Sequence, residues 1–238
     1  TAGSGIALTP GATLTSSSYE KFPNASGFTE FTINLTDAEL RDVLRSEIAI
    51  AGYDSNGDLV EASGLQLQGV LDDFYSVNEV EAYLGNDMLG VNYNGGTQTL
   101  HLWAPTAQNV DVLYYGNTCS ASPTSTNSMT FDEASGVWSF TTPGDWNYGF
   151  YRYEVEVYSP YTGNIETNVV TDPYSISLSV NNYDLDNALP LNDQCSQFVD
   201  LLNDPALKPN GWDGLSKPAR PNTEDIVVKE LHVSEISI

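Results

Sequence analysis

HLWAPTAQNVDVLYYG, residues 101–116, reads as a strand, a break and a second strand. His101, Trp103 and Ala104 lead into Pro105; then Val110, Val112 and Tyr114 alternate with Asp111, Leu113 and Tyr115. Period-two alternation places successive side chains on opposite faces of a sheet. Proline has no N–H to give a ladder, so Pro105 ends strand pairing and lets the chain turn into the next strand. On this reading Trp103, flanked by apolar neighbours, anchors the core, and His101 is a surface strand residue. Further short alternating runs surround the segment, at 97–103, 109–115, 128–132, 136–141, 150–158 and 164–171. Asn-Gly-Gly, Ala-Ser-Gly, Pro-Gly-Asp and Thr-Gly-Asn separate them. Short strands with turn signals between them predict a β-sandwich.

Earlier in the chain, TEFTINLT (29–36) alternates like a strand, and DAELRDVLRSE (37–47) carries Ala38, Leu40, Val43 and Leu44 near helical spacing. Residues 48–70 read as a hairpin whose turn is DSNGDL, with Asn56-Gly57 as the tight-turn signal. Asp54, Asn56 and Asp58 also imitate the start of a calcium loop, but Leu59 and Leu65 stand where Gly and Glu are needed. Turn chemistry is the better account. Residues 1–22 read as weakly ordered, 71–85 as a junction, and 182–223 as a loop-rich stretch with five prolines ahead of a last strand-like run, DIVVKELHVSEISI. No internal repeat is present.

The 238 residues carry 32 acidic and 8 basic side chains, a formal charge of −24. Such a field repels nucleic acid and anionic lipid and leaves a neutral ligand such as a sugar admissible. No stretch is apolar for long enough to span a membrane. The acids are scattered, as on a solvated surface. Asp72 and Asp73 are adjacent, so on an extended chain they point to opposite faces and do not form a catalytic pair. The two cysteines, Cys119 and Cys195, lie in polar, loop-like sequence without a neighbouring ligand, which argues against a metal site. A disulfide and two free thiols both remain open. The sequons at Asn24 and Asn34 matter only in a glycosylating host.

The segment LWAPTAQNVDVLYY resembles the first strands of carbohydrate-binding module family 48. GVWSF (136–140) looks like its central strand, YGFYRYEVEVY (148–158) its aromatic-rich strand, and VTDPYSISLSVN (170–181) its final strand and onward segment. The flanks narrow the resemblance to the pullulanase and limit-dextrinase group of debranching enzymes in glycoside hydrolase family 13. IAGYDSNGDLVEASGLQLQGVLDDFY (50–75) resembles that group's small β domain. LNDPALKPNGWDGL (202–215) resembles its linker, and VVKELHVSEIS (227–237) its first barrel strand. There are departures: Ser234-Glu235 replaces the usual Arg-Asp, and Lys229 stands where an aromatic is common.

The resemblance implies a mainly β chain. A segment 1–24 precedes a small β domain at 25–82 and an immunoglobulin-like sandwich at 83–182. Residues 183–238 are the linker and the beginning of a (β/α)8 barrel. Relatives hydrolyse α-1,6-glucosidic bonds with two carboxylates about 5–5.5 Å apart. Those sit on later barrel strands, so no catalytic residue is expected in this chain, and no hydrolase activity of its own. No cofactor is implied for these residues; calcium belongs to the parent enzyme if anywhere. The expected partners are α-glucan, such as pullulan, amylopectin or limit dextrin, and the parent's own barrel, outside the cell, at the cell surface or in the periplasm. Sugar contact calls for an aromatic platform, with Trp146, Tyr148 and Trp138 as candidates. Asp172, Pro173 and Tyr174 of the TDPY pattern, with Trp212 and His232, are the expected interface residues. A free-standing α-glucan-binding module and a secreted immunoglobulin-like interaction domain are the alternatives.

Overall fold

The structure, a computed structural model, describes residues 5–13, 23–25, 27–119, 122–179 and 194–216, with Val227 and Glu230. Strand β1 (Thr9–Thr13) lies within the stretch read as weakly ordered and pairs antiparallel with β2 (Thr29–Thr32). The small domain thus gathers residues ahead of position 25. Helix α1 (Asp37–Leu44) falls where its periodicity placed it. Its start is fixed by Thr36, whose N–H donates to the Glu39 carboxylate at 2.8 Å while its hydroxyl accepts from the Glu39 N–H. Strands β3 (Ala49–Tyr53) and β4 (Leu59–Gly64) form the expected hairpin. Its turn is closed by Asp54, whose Oδ1 accepts from the N–H of Asn56 and of Asp58, both at 2.9 Å. That carboxylate is used in the turn.

The expected junction at 71–85 is instead two helices, α2 (Gln68–Phe74) and α3 (Val77–Leu84). Ser76 breaks them apart, and its N–H donates to Glu79 at 2.7 Å. The sandwich follows. In chain order it comprises β5 (Gly90–Tyr93), β6 (Gln98–Trp103), β7 (Ala107–Gly116), β8 (Ser125–Ser128) and β9 (Thr130–Asp132). Then come β10 (Val137–Thr141), β11 (Phe150–Ser159), β12 (Asn164–Val170) and β13 (Ser196–Gln197). One sheet has the order β5-β6-β10-β9; the other is β12-β11-β7-β8, with β13 added to β11. All pairings are antiparallel.

Pro105 lies where the chain leaves one sheet for the other. Strand β6 ends at Trp103, a turn is closed by the Ala107 N–H on the Ala104 carbonyl, and β7 starts in the opposite sheet. The run 128–132 divides in the same manner, since β8 and β9 belong to different sheets and buried Met129 bridges them. The core between the sheets holds Leu100, Leu102, Val110, Val112, Trp138, Tyr151, Tyr153 and Phe198. Fully burying a side chain of this size contributes about 1.5–3 kcal/mol.

Two expectations from the opening segment are corrected. Leu100 and Leu102 occupy the core face of β6, so Trp103 and His101 lie on the other face by alternation. Trp138 takes the anchoring role expected of Trp103, its Nε1–H donating to the Ala104 carbonyl at 2.9 Å. His101 is not a surface residue but 7% exposed. Its ring nitrogens meet Ser139 Oγ at 2.7 Å and Asp87 Oδ2 at 3.2 Å, and the ring of Tyr83 from α3 stands edge-on to it. Helix α3 thus reaches this face of the sheet through Tyr83, whose hydroxyl lies 2.9 Å from Ser139 Oγ. A further correction concerns 170–181: residues 171–179 hold a turn and one isolated bridge, Leu178 to Ser196, rather than a final strand.

The small domain is clamped to the sandwich by Arg45. Its Nε donates to the Ala107 carbonyl and its Nη2 to the Gln108 carbonyl, both at 2.9 Å, and Gln108 Nε2 returns a bond to the Arg45 carbonyl at 3.0 Å. The guanidinium also lies 4.9 Å from the Phe131 ring centre. Beside it, Tyr75 and Pro105 close over Gly136 so tightly that a Cβ there would fall 2.7 Å from Pro105 Cβ.

Cys119 and Cys195 are joined by a disulfide, with Cα atoms 5.9 Å apart. A second unit, Asp200–Ile238, is separate from Thr1–Val199. Within it Lys208 Nζ donates to the Leu202 carbonyl at 2.6 Å and to Asp213 at 2.8 Å. The strand-like run at 226–237 lies outside the described residues apart from Val227 and Glu230. Among the described residues no helix is long and apolar enough to cross a membrane.

Arg45→Ala removes two charge-assisted bonds to backbone carbonyls and should cost about 2–4 kcal/mol. Arg45→Lys should recover only part of it, because an ammonium cannot fork to two carbonyls in the same way. Urea unfolding followed by circular dichroism reads both.

Candidate functional site

The strongest candidate for ligand contact is the loop joining β10 to β11, residues 142–149. Its scaffold is Gln98, a buried amide on β6. Gln98 Nε2 donates to Asp145 Oδ1 at 2.9 Å, and its Oε1 accepts from the Trp146 N–H at 2.8 Å and from the Thr142 hydroxyl at 3.1 Å. Asp145 Oδ1 also accepts the Asn147 N–H at 2.9 Å. Every polar group of Gln98 is therefore spent on shaping this loop.

Trp146 lies flat on Tyr114 of β7, with ring centres 4.0 Å apart and planes 9° from parallel, and its other neighbours are Phe140 and Phe198. One indole face is thus taken up by the protein. Burial, and then the nearby Asp145 carboxylate, push the Tyr114 phenol up, so it stays neutral and suits stacking. Two residues on, Tyr148 adopts a left-handed backbone with φ +63° and is 41% exposed. That conformation is costly for a bulky residue. It is held by the Tyr148 N–H on the Phe198 carbonyl at 2.8 Å and by Gln197 Nε2 on the Tyr148 carbonyl at 3.1 Å. The result is an exposed ring on a backbone fixed from two sides, two residues along the chain from the stacked indole. Sequence reading named Trp146 and Tyr148 and missed Tyr114 and Gln98. Spacing could not reveal them, because they reach the loop from two other strands. Asn147 Oδ1 is a further polar atom of the loop, without a hydrogen-bond partner among the described residues.

Trp138 does not join this platform: it is 4% exposed, inside the core, with no ring face open to a sugar. Asp172 is equally buried, at 4%. Its Oδ2 accepts from the Tyr151 hydroxyl at 2.6 Å and the Tyr153 hydroxyl at 3.4 Å, its Oδ1 accepts the Tyr174 N–H at 2.8 Å, and its own N–H donates to Ser196 Oγ at 2.9 Å. Its side chain is an internal strut; only Pro173 and Tyr174 beside it reach the surface. Burial raises the Asp172 pKa above the ordinary 3.8, against the opposing pull of the Tyr151 hydroxyl. Both tyrosines are held well above their ordinary range, chiefly by burial, and remain donors. Trp212 belongs to the second unit and is 57% exposed, while His232 lies outside the described residues. Among the described residues no group of three or more His, Cys, Asp or Glu side chains could hold a metal ion.

Two consecutive β-rich modules, the second a two-sheet sandwich that carries an aromatic loop, have the architecture of a carbohydrate-binding module and the domain that precedes it. Family models define them: residues 1–73 match the pullulanase N2 domain, and residues 88–175 match carbohydrate-binding module 48, the isoamylase N-terminal domain. The chain belongs to the pullulanase family and corresponds to its N-terminal domains. It is 36% identical over 220 residues to pullulanase 1, chloroplastic, of Arabidopsis thaliana, covering 92% of this chain and 20% of that one. To the pullulanase of Klebsiella pneumoniae it is 36% identical over 233 residues, covering 97% and 19%. The chain thus spans about a fifth of the length of these relatives. The solved structure of Klebsiella pneumoniae pullulanase complexed with maltotriose superposes with a TM-score of 0.73 at 34% identity, over 89% of this chain and 18% of that one. PulA from Klebsiella oxytoca gives 0.73 at 36%, over 89% and 18%.

Gly149 admits no side chain, since a Cβ would lie 2.6 Å from Tyr114 Cε2 and 2.9 Å from the Trp146 carbonyl. Gly149→Ala should push Tyr114 off the indole, cost about 1–3 kcal/mol and shift the tryptophan emission. For Asp172, a raised folded pKa means that its contribution is present below the unfolded value and lost as pH rises through the folded one. Asp172→Asn should therefore lower the melting temperature overall. Its deficit against the parent should shrink as the pH rises above the ordinary aspartate value of 3.8, as read in paired thermal melts.

Proposed function

We propose that this chain is the non-catalytic N-terminal portion of a secreted α-1,6-glucan debranching enzyme of glycoside hydrolase family 13. Its sandwich guides branched α-glucan through the 142–149 loop, and its small domain steadies that sandwich. The observation that carries the glucan contact is Tyr148: an exposed aromatic ring, on a backbone pinned in a costly conformation, in the same loop as Trp146, whose indole is stacked on Tyr114. Stacking of a flat ring against the apolar face of glucose suits a neutral ligand and tolerates the acidic surface. The relatives' identity as pullulanases supports α-glucan as the parent's substrate, and the disulfide supports export to an oxidising compartment.

A second role rests on the turn after β12. Tyr174, Ile176 and Leu178 are all exposed there, next to the strut at Asp172. With Pro173 they form the face proposed to meet the remainder of the parent enzyme; Trp212, exposed on the second unit, is a separate proposed interface residue.

Affinity electrophoresis in gels with and without pullulan or amylopectin tests the glucan contact. The parent chain should be retarded and Tyr148→Ala should not, while its melting temperature stays unchanged. Trp146→Ala should lose both retardation and stability, because its ring is also packing. Equal mobility of parent and Tyr148→Ala in pullulan gels would overturn the assignment of the loop and leave the chain as a docking scaffold.

A further inference from the structure

The disulfide stands in unusual company. On the outer face of β7 and β11, Cys195 is fully buried with Leu113 and Tyr115, while Cys119 is partly exposed. Arg152, pointing outward from β11 by alternation, lies against both sulfurs: its Nε is 3.2 Å from Cys195 Sγ and its Nη2 3.6 Å from Cys119 Sγ. The guanidinium is only 6% exposed and lies 5.4 Å from the Tyr115 ring centre. A fixed cation at a thiol stabilises the thiolate, which is both the leaving group of disulfide cleavage and the nucleophile of disulfide formation. Arg152 therefore favours the reduced form and eases exchange in both directions, the opposite of what a purely structural crosslink needs.

The second observation is what Cys195 holds. It directly precedes β13, where Ser196 pairs with Tyr151 and Gln197 with Phe150. Phe198 N–H then donates to the Gly149 carbonyl at 2.9 Å, and the Phe198 carbonyl and Gln197 amide fix Tyr148. Phe198 itself packs against Trp146. The strand that shapes the candidate glucan loop is thus tied down by the crosslink at the residue just before it.

We propose that Cys119–Cys195 is a redox clamp on the 142–149 loop: the loop takes its binding shape when the disulfide forms in oxidising surroundings and loses it on reduction. The consequence for glucan rests on the reading above; the clamp itself does not. In reduction by a dithiol, its thiolate bonds to the partly exposed Cys119 Sγ. The S–S bond breaks and its electron pair goes to Cys195 Sγ beside Arg152. The reductant's second thiolate then displaces Cys119, both cysteines are protonated from solvent, and the dithiol leaves as its own disulfide. The same steps in reverse, with a small-molecule disulfide as oxidant, close the clamp.

The test uses the full chain, dithiothreitol and thiol alkylation read by mass. Under native conditions the disulfide should be reduced well before global unfolding, at least about tenfold faster than in Arg152→Met, with Arg152→Lys in between. Hydrogen exchange at 146–149 and 196–198 should rise on reduction, and the Cys119→Ser/Cys195→Ser variant should show the same exchange without reductant. Reduction no faster than unfolding, equal rates in Arg152→Met, or unchanged exchange at 146–149 would each overturn the clamp. Pullulan gels separate the two readings. Retardation of the oxidised chain alone supports both. Absence of retardation in either form, with exchange still redox-dependent, removes the glucan role and leaves the clamp.

Discussion

Strand β7 has to be covered on both faces, and the architecture is built around that requirement. Its inward residues Val110 and Val112 are fully buried in the sandwich core, and its outward residues Leu113 and Tyr115 are buried beneath Cys195. A strand with two apolar faces cannot be satisfied by one partner sheet. The second sheet covers one side, and the crosslinked segment around Cys195 covers the other. The ends of β7 are used too. Ala107 and Gln108 give their carbonyls to Arg45, and Tyr114 gives its ring to Trp146. The junction with the small domain, the core, the disulfide and the candidate ligand loop therefore all meet on ten residues, Ala107–Gly116.

The alternation in 101–116 was enough to place that strand, because period two is a property of the backbone and needs no knowledge of partners. What it could not settle was which face of β6 looks inward. Trp103 and Leu102 are both apolar, and the choice is made by α3 and Asp87 covering the outer face, where they supply partners for His101. The helices at 68–84 were missed for a related reason. Gln68–Phe74 has no side-chain cap to mark its start, and the signal for Val77–Leu84 was local, the Ser76–Glu79 cap, rather than the period of its apolar residues. The split of 128–132 at Met129 is equally invisible, since a strand that changes sheets keeps its alternation.

Legibility of the site followed the same division between local and distant. A tryptophan and a tyrosine among Pro, Gly, Asp and Asn mark an aromatic loop, and Trp146 and Tyr148 could be picked out. Their supports could not, because Gln98 and Tyr114 lie 48 and 32 or more residues away in sequence, on separate strands. Asp172 shows the reverse failure. A TDPY motif in a turn looks like surface, yet its carboxylate turns inward to two tyrosine hydroxyls and leaves the surface to its neighbours.

Why bury a carboxylate there at all? Three donors, Tyr151 Oη, Tyr153 Oη and the Tyr174 N–H, converge on one side chain. A buried phenol without an acceptor costs about 1–3 kcal/mol, so Asp172 satisfies two strands' worth of tyrosine while its own N–H fixes Ser196. Ser196 is the residue after Cys195. The strut and the disulfide thus hold β13 by different chemistry, one polar and pH-dependent, the other covalent and redox-dependent. The disulfide closes a loop of 76 residues, worth about 4 kcal/mol against the unfolded chain. The strut adds nothing to chain entropy but sets direction, because three convergent hydrogen bonds admit one orientation of the turn. With the covalent tie open, β13 would still have a partner at Ser196, while Phe198 and the bonds to Tyr148 and Gly149 lie further along the chain. Reduction should accordingly loosen the aromatic loop before it unfolds the sandwich, which is the order of events a clamp requires.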